Sequence, residues 1–380
     1  MRLLVAASPG ETRIAAWSDD GLADYAIERP GRPDGVGDLH RGRVLAVVPA
    51  MAGAFVALAD GEGFLPDSAR GDHAGATMGV GSAIGVRVTR AEQGGKGPRL
   101  TARLDEADRA LVGGGAPALL RRGPGAVERL AARWPAAPVV VNDAALLATL
   151  RPLLGERVRQ GPAFDDAVES EVAALAGAGA ALPGGARMSV HPTPALTAID
   201  VDLGTATAER RSKAAAQFAA NRGLLPALAR QIRLRNLGGA ILVDLAGMAA
   251  RRRAALAGNF AAALAADPLQ PRLLGFTALG LAEILRPRIH PPLHELLAGP
   301  HAAGLAALRE AAGRVRANPA VALALRAAPP IVAALQADPV ALGAFAHLSG
   351  RALVLRSDPA LGAGAAPVGG GWLLETIHGG

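Results

Sequence analysis

Residues 240–248, AILVDLAGM, are almost continuously apolar and predict a buried β-strand that ends at Asp244. Residues 197–204, TAIDVDLG, predict a second strand. Its two acids, Asp200 and Asp202, stand two positions apart and therefore point to the same face of a sheet. The helix predicted between the strands ends at the paired glycines of RNLGG. Strand, helix and strand together predict a βαβ-like unit of an α/β domain.

The two predicted strands can lie side by side, which would bring Asp200, Asp202 and Asp244 to one sheet edge, where open α/β sheets bind ligands. Neither TAIDVDLG nor AILVDLAGM contains a basic residue, and like charges this close repel each other. A hard divalent cation would satisfy them, because Mg²⁺ is commonly held by one or two carboxylates, waters and a substrate phosphate. The alternative is that Asp200 and Asp244 are strand-end acids that cap loops or pair with arginines.

The composition indicates a folded chain of several domains that favours polyanionic partners. The chain has 380 residues, of which 51% are hydrophobic and 19% charged, and its net charge is +7. Such a balance favours nucleic acid as a partner, although an arginine-rich coding bias is the alternative explanation. The absence of cysteine excludes disulfides and thiolate metal sites. The N-terminal apolar run is too short for a signal peptide and no stretch approaches a membrane span, so we expect a cytoplasmic protein without a membrane partner.

Residues 37–104 contain short β-rich runs separated by glycine and proline, a pattern that predicts a small five-stranded barrel. Phe55, Phe64 and Lys96 lie in this segment. OB-type barrels bind single strands by stacking bases on exposed aromatic rings while cations hold the backbone. The alternative is that both phenylalanines belong to the barrel core.

Several ordered motifs resemble the ribonuclease E/G family along nearly the whole chain. GDLHRGRVLAVVPAMAGAFVALADGEGFLP is similar to that family's S1 domain and GGKGPRLTARL to its end, while LPGGARMSVHPTPALTAIDVD resembles the stretch leading into the first catalytic aspartate. RQIRLRNLGGAILVDLAGM is the most specific match and carries the second catalytic aspartate. GFTALGLAEILRPRI and GRALVLRSDPAL are similar to later family segments.

The resemblance implies Mg²⁺-dependent endonucleolytic cleavage of single-stranded RNA, and we expect 5′-phosphate ends on the downstream products. It implies an α/β multidomain fold: an RNase H-like domain with an inserted S1/OB β-barrel, a DNase I-like catalytic α/β domain and a small C-terminal α/β domain. The expected divisions are residues 1–36 (first RNase H-like segment), 37–104 (S1/OB-fold RNA-binding domain), 105–134 (reduced sensor-like segment), 135–185 (second RNase H-like segment), 186–288 (catalytic domain), 289–303 (linker) and 304–380 (C-terminal domain).

The resemblance also implies roles for individual residues. Asp200 and Asp244 match the family's metal-holding aspartates, and Asp202 is expected to orient the attacking water or to form a third metal position. The expected RNA-binding residues are Phe55, Phe64, Lys96, Arg251, Arg252 and Arg272, and Arg253 is a further candidate for phosphate contact.

Four departures from the family pattern qualify these roles. Asp202 stands where the family has asparagine, and Gln270 stands where it usually has a basic residue, with Arg272 two positions on. The cysteines that join two subunits of the family through a shared zinc ion are absent here. We therefore expect no zinc, and any homo-oligomer would form without that zinc link.

The segment before residue 135 is shorter than in the family. Its basic pair, Arg121 and Arg122, is expected to be a solvated surface, so sensing of the RNA 5′ end should be weak or absent. An alternative for the former link region is a metal site formed by His290, His294 and His301.

Two further functional hypotheses stay open. The first is a non-catalytic RNA-binding protein derived from the same fold, because Asp202, Gln270 and the lost link all lie close to the chemistry. The second is a purely structural assembly subunit. Cleavage of a labelled RNA, binding without cleavage, or neither result would distinguish the three hypotheses.

Overall fold

The computed structural model describes residues 1–71, 79–204, 213–362 and 370–377. The chain divides into two compact units. The larger unit comprises Met1–Arg32, Ala126–Pro287 and Pro292–Gly380, and the smaller one Pro33–Gly125 and Arg288–Pro291. The smaller unit thus interrupts the larger one in sequence, as an inserted domain would.

The smaller unit is built on a closed five-stranded barrel, which confirms the predicted barrel. Its strands are β4 (Leu39–Val48), β5 (Gly53–Ala57), β6 (Glu62–Pro66), β7 (Ala83–Arg90) and β8 (Arg99–Thr101). They run in the order β5-β6-β8-β7-β4, and the additional pairing of β4 with β5 closes the barrel. Alternate side chains such as Val56, Leu65 and Leu100 fill its interior because successive residues of a strand face opposite sides.

The reduced sensor-like segment contains more regular structure than its glycine-rich sequence indicates. Helix α1 (Glu106–Val112) begins where the Asp105 side chain accepts a hydrogen bond from the Asp108 backbone N–H. Strand β9 (Ala118–Arg121) then adds to the barrel beside β4. The next helix, α2 (Ala126–Arg133), belongs to the larger unit.

The first sheet of the larger unit begins with an antiparallel meander. Its strands are β1 (Arg2–Ser8), β2 (Glu11–Ser18), β3 (Gly21–Glu28), β10 (Val139–Val141) and β11 (Val158–Gln160), in the order β11-β10-β1-β2-β3. Helices α3 (Ala144–Leu154) and α4 (Asp166–Ala174) follow β10 and β11. Helix α3 ends at Leu154, and the chain then continues as β11, which pairs in parallel with β10.

The second sheet of the larger unit holds the predicted catalytic strands. Its strands are β12 (Gly179–Ala181), β13 (Arg187–Pro192), β14 (Thr197–Asp202), β15 (Gly239–Asp244), β16 (Arg272–Phe276) and β17 (Ala282–Arg286), in the order β12-β13-β14-β15-β17-β16. Helices α5 (Lys213–Leu234) and α7 (Ala257–Leu264) contribute to one hydrophobic core with this sheet, and the short α6 (Ala250–Ala254) precedes α7. The segment that follows β15 therefore forms two helices.

The C-terminal region of the larger unit is a small α/β arrangement. It contains α8 (Leu293–Leu296), α9 (Gly299–Ala317), β18 (Leu323–Ala327), α10 (Pro329–Gln336), α11 (Pro339–Ser349), β19 (Val354–Ser357) and β20 (Trp372–Thr376). Within the described residues no single helix is long and apolar enough to cross a membrane; only α10 and α11, bent by 85° from each other, reach that length and composition together.

The buried His301 of α9 makes the stability of this region depend on pH. Its Nε2 lies 2.9 Å from Oδ2 of Asp338. Burial lowers the pKa of His301, and this effect outweighs the opposing effect of the hydrogen bond that the Asp338 carboxylate accepts. Burial also lowers the pKa values of His40 and His294. In all three cases the unfolded state takes up protons at a higher pH than the folded state.

We therefore expect the free energy of unfolding to fall when the pH is lowered from about 7.5 to about 5.5. When a histidine has a lower pKa in the folded state than in the unfolded state, the protein loses stability as the pH drops below the unfolded-state pKa of that histidine. Urea unfolding at the two pH values measures the difference, and it should be smaller in His301→Gln, which keeps a donor for Asp338. Equal or greater stability at the lower pH would contradict this expectation.

Candidate carboxylate site and barrel surface

Asp200 and Asp244 are direct neighbours in the second sheet. Strands β14 and β15 run in parallel, and the two aspartates are Cα partners in their register. Adjacent strands lie about 4.8 Å apart, so the two carboxylates leave the sheet side by side on the same face. The predicted neighbouring arrangement of these strands is confirmed.

That face of the sheet is open to solvent at the acids. Ile199, Val201 and Val243 point to the opposite face and belong to the core with α5 and α7. Asp200 and Asp202 are exposed, and the Asp244 side chain is 49% exposed. Because side chains alternate between the two faces along each strand, the acids point outward, where a cation or a phosphate can reach them.

Asp202 has a local structural role that the sequence pattern did not reveal. Its Oδ1 accepts a hydrogen bond of 2.9 Å from the Gly204 backbone N–H. Gly204 has φ of +57°, a conformation that favours glycine, so the carboxylate stabilises a turn at the end of β14. The cross-strand neighbour of Asp202 is Arg187 in β13. The register thus places a basic residue opposite this acid, although no ion pair joins the two side chains in the part of the chain that the structure describes.

Asp244 also has a basic partner. The Arg253 Nη1 donates a hydrogen bond of 2.6 Å to Asp244 Oδ1, and its Nε donates to the Met248 carbonyl at 2.8 Å. The Arg253 side chain is only 13% exposed. The expectation of an unpaired acid is wrong here, since helix α6 turns this arginine inward. Arg251 and Arg252 of the same helix remain exposed, as phosphate-binding residues would need to be.

The donor set fits a hard cation held by two carboxylates rather than three. In the described residues no hydrogen bond or ion pair engages the Asp200 carboxylate, and no group of three or more acids or histidines is arranged to hold a metal. The expected three-carboxylate cluster is therefore absent from the described regions of the chain. Two in-register carboxylates are nevertheless what Mg²⁺ commonly takes from a protein, because it keeps waters and substrate oxygens as its other ligands.

Arg272 does not lie beside these acids. It begins β16 and pairs with Leu285, which in turn pairs with Ala240 at the start of β15. Asp244 stands four residues further along β15, about 13 Å away along the strand. Gln270 adopts φ of +51° in the turn just before β16. The structure thus gives Arg272 a place at the other end of the sheet, and its role in RNA binding stays a prediction.

Phe55 and Phe64 form an aromatic pair on the outside of the barrel. They are cross-strand partners in β5 and β6, and their ring centroids lie 5.5 Å apart in an edge-to-face arrangement. Both are half-buried, whereas their strand neighbours Val56 and Leu65 fill the interior. Lys96 is exposed in the turn between β7 and β8. The alternative of two core phenylalanines is therefore wrong, and the pair is available for stacking.

Replacing Phe64 by alanine is expected to weaken binding of single-stranded RNA by about 1–3 kcal/mol, the cost of one lost base stack. Fluorescence anisotropy of labelled oligouridylate in chelator measures the affinity. Leu111→Ala, which removes an exposed apolar side chain from α1 of the same unit, is the matched control. An unchanged affinity of Phe64→Ala would show that bases do not stack there.

The histidines and the paired arginines have local partners. His290 Nδ1 lies 2.6 Å from Asp34 Oδ2, and His301 contacts Asp338. Arg122 forms an ion pair of 2.6 Å with Asp38, and Arg121 pairs with the buried Asp108. Both arginines are about half exposed (55% and 51%), in agreement with a surface role.

Comparison with known proteins agrees with the resemblance of the motifs. A profile of the ribonuclease E/G family matches residues 149–289, which include β14 and β15. Ribonuclease G of Escherichia coli K12 is 26% identical over 398 residues, covering 78% of this chain and 81% of that protein. Ribonuclease E of Synechocystis is 35% identical over 120 residues, covering 31% of this chain.

The chain corresponds to only a portion of the ribonuclease E relatives. It spans 18% of the Synechocystis protein and 17% of ribonuclease E of Nostoc, to which it is 34% identical over 116 residues. Similarity to ribonuclease G, in contrast, extends over most of both proteins.

Proposed function

This chain belongs to the ribonuclease E/G family, and from that membership we propose that it is a Mg²⁺-dependent endoribonuclease of single-stranded RNA. The observation that carries the proposal is the register of Asp200 with Asp244 on the open face of the second sheet. Hydrolysis by water at the phosphorus would leave a 5′-phosphate on the downstream product. We place this activity in the cytoplasm, in RNA processing or decay.

In this proposal Asp200 and Asp244 hold the cation. When bound, Mg²⁺ polarises a phosphate oxygen and lowers the pKa of a coordinated water. Arg253 fixes the Asp244 carboxylate through its 2.6 Å hydrogen bond and offsets some of the local negative charge. Asp202 secures the turn after β14 and, with its remaining oxygen, is placed to orient a water.

The RNA strand is held by residues outside the carboxylate site. Phe55 and Phe64 stack bases, and Lys96 binds the backbone of the strand. Arg251 and Arg252, exposed on α6 just after the strand that carries Asp244, bind phosphates near the cleaved bond. The proposal includes no zinc and no membrane partner, and any homo-oligomer would form without a zinc link.

A non-catalytic RNA-binding protein is the second candidate, and two observations favour it. Arg253 already pairs with Asp244, and Asp202 already caps a turn, so both acids have satisfied roles without a cation. Asp200 argues for the enzyme, because its carboxylate has no partner among the described residues and an exposed acid beside another acid is unfavourable alone.

The test incubates the purified chain with a 5′-end-labelled single-stranded RNA in Mg²⁺ or in chelator. Cleavage in Mg²⁺ alone supports the endoribonuclease. A gel shift without cleavage supports the second candidate, and neither binding nor cleavage would contradict both.

A further inference from the structure

A row of four side chains crosses the outer surface of the barrel. Phe55 of β5 pairs with Phe64 of β6, Phe64 pairs with Arg99 of β8, and Arg99 pairs with Arg90 of β7. Residues opposite one another in a sheet point to the same face, so two aromatic rings are followed by two guanidinium groups. With strands about 4.8 Å apart, the row extends about 14 Å across the strands.

A third arginine reaches this row from a distant region of the sequence. Residues 288–291 belong to the barrel unit, where the Ile289 carbonyl accepts hydrogen bonds from the Ala91 N–H at 2.8 Å and from Gln93 Nε2 at 3.5 Å. Ala91 follows Arg90 directly, so this contact brings Arg288 next to the end of β7. Besides burial, the positive charges of Arg99 and Arg288 lower the pKa of Arg90, as expected for a cluster of three like charges.

The cluster has no acid to balance it within the described residues, where Arg90, Arg99 and Arg288 take part in no ion pair. The Arg90 side chain donates only a long hydrogen bond of 3.3 Å to the Gly97 carbonyl, and its buried Nε has no partner there. Other arginines of the same unit, such as Arg122, are paired with carboxylates. Uncompensated guanidinium groups favour an anion with several oxygens, and phosphate suits their forked donors.

We propose that Arg90, Arg99 and Arg288 form a phosphate-binding subsite that continues the Phe55–Phe64 stacking surface, so that one RNA strand crosses the barrel from the rings to the arginines. This inference rests on the proposed function, because it takes single-stranded RNA as the ligand. Two bases stack on the phenylalanines, and the phosphates of the adjoining nucleotides bind the arginines. The side chain of Arg99 is central, since it stands between Phe64 and Arg90.

Binding of fluorescein-labelled oligouridylate to the full chain in chelator, over a range of salt concentrations, tests the subsite. Arg99→Gln should raise Kd about five- to tenfold and reduce the slope of log K against log salt by about 0.7, the value for one lost phosphate contact on a single strand. Arg109→Gln, which removes an exposed arginine from α1 of the same unit, is the charge-matched control and should change neither quantity comparably.

An oligomer with abasic positions separates stacking from charge. Phe64→Ala should bind oligouridylate and the abasic oligomer equally well, with the slope of log K against log salt unchanged. Arg99→Gln should still prefer oligouridylate, but its slope should be smaller than that of the unsubstituted chain. If Arg99→Gln matches Arg109→Gln, the subsite is refuted while RNA binding by the protein stands. If the unsubstituted chain fails to bind either oligomer, the proposed function falls, and this inference falls with it.

Discussion

Asp244→Asn is expected to reduce RNA cleavage in Mg²⁺ at least about a hundredfold while RNA affinity stays close to that of the unsubstituted chain. Asparagine keeps the size of the side chain and one oxygen acceptor, but it removes the charge that a hard cation requires. The residues proposed to bind RNA lie in the barrel and on α6, so the substitution leaves them unchanged. Single-turnover cleavage of the labelled RNA and anisotropy in chelator measure the two quantities.

Asp166→Asn is the matched control, because it makes the same change at an exposed acid of α4. Its cleavage rate should equal that of the unsubstituted chain. Asp244→Asn replaces the charged acceptor of the Arg253 hydrogen bond by a neutral one, and urea unfolding measures whether this change also destabilises the fold. Cleavage by Asp244→Asn at the unsubstituted rate would refute the metal-holding role of this residue.

Asp267→Ala is expected to reduce the free energy of unfolding by about 3–5 kcal/mol, a large share of the total stability of a protein. Asp267 Oδ2 accepts a hydrogen bond of 2.8 Å from Arg286 Nε, and both side chains are almost fully buried, at 4% and 3% exposure. Arg286 also donates to Asn236 Oδ1 at 2.8 Å and to the Leu237 carbonyl at 3.2 Å. Removing the acid leaves a buried, uncompensated charge in the sheet that carries the site.

Urea unfolding measures this loss. Glu310→Ala breaks the exposed pair with Arg314, in which the side chains are 47% and 45% exposed, and should cost less than about 1 kcal/mol. The double substitution Asp267→Leu and Arg286→Met should recover some of the stability, because apolar residues can replace a buried ion pair. If Asp267→Ala destabilises the chain no more than Glu310→Ala does, the buried ion pair of Asp267 and Arg286 contributes little to the free energy of unfolding.

The sequence predicted the features of the fold that depend on periodicity. Alternation in TAIDVDLG placed Asp200 and Asp202 on one face, and the continuous apolar run before Asp244 predicted a central strand. Closely spaced turns likewise predicted the barrel. These features follow from which residues each strand must bury, and that information is local.

The basic neighbours of the proposed binding residues could not be predicted in this way. Arg253 stands nine residues after Asp244, and its contact requires α6 to turn back over the end of β15. Arg187 meets Asp202 only through the register of β13 with β14. Arg288 was assigned to the end of the catalytic domain, yet it belongs to the barrel unit. In each case tertiary packing, rather than local sequence, decides which residues become neighbours.

The measurement that tests the central claim most directly is the cleavage rate as a function of Mg²⁺ concentration for the unsubstituted chain, Asp200→Asn and Asp202→Asn. If Asp200 and Asp244 hold the cation, Asp200→Asn should show no appreciable cleavage at any Mg²⁺ concentration. Asp202→Asn should stay active, because asparagine retains the oxygen that accepts from Gly204 and matches the residue that the family carries. Cleavage by Asp200→Asn with the rate and Mg²⁺ dependence of the unsubstituted chain would contradict the account.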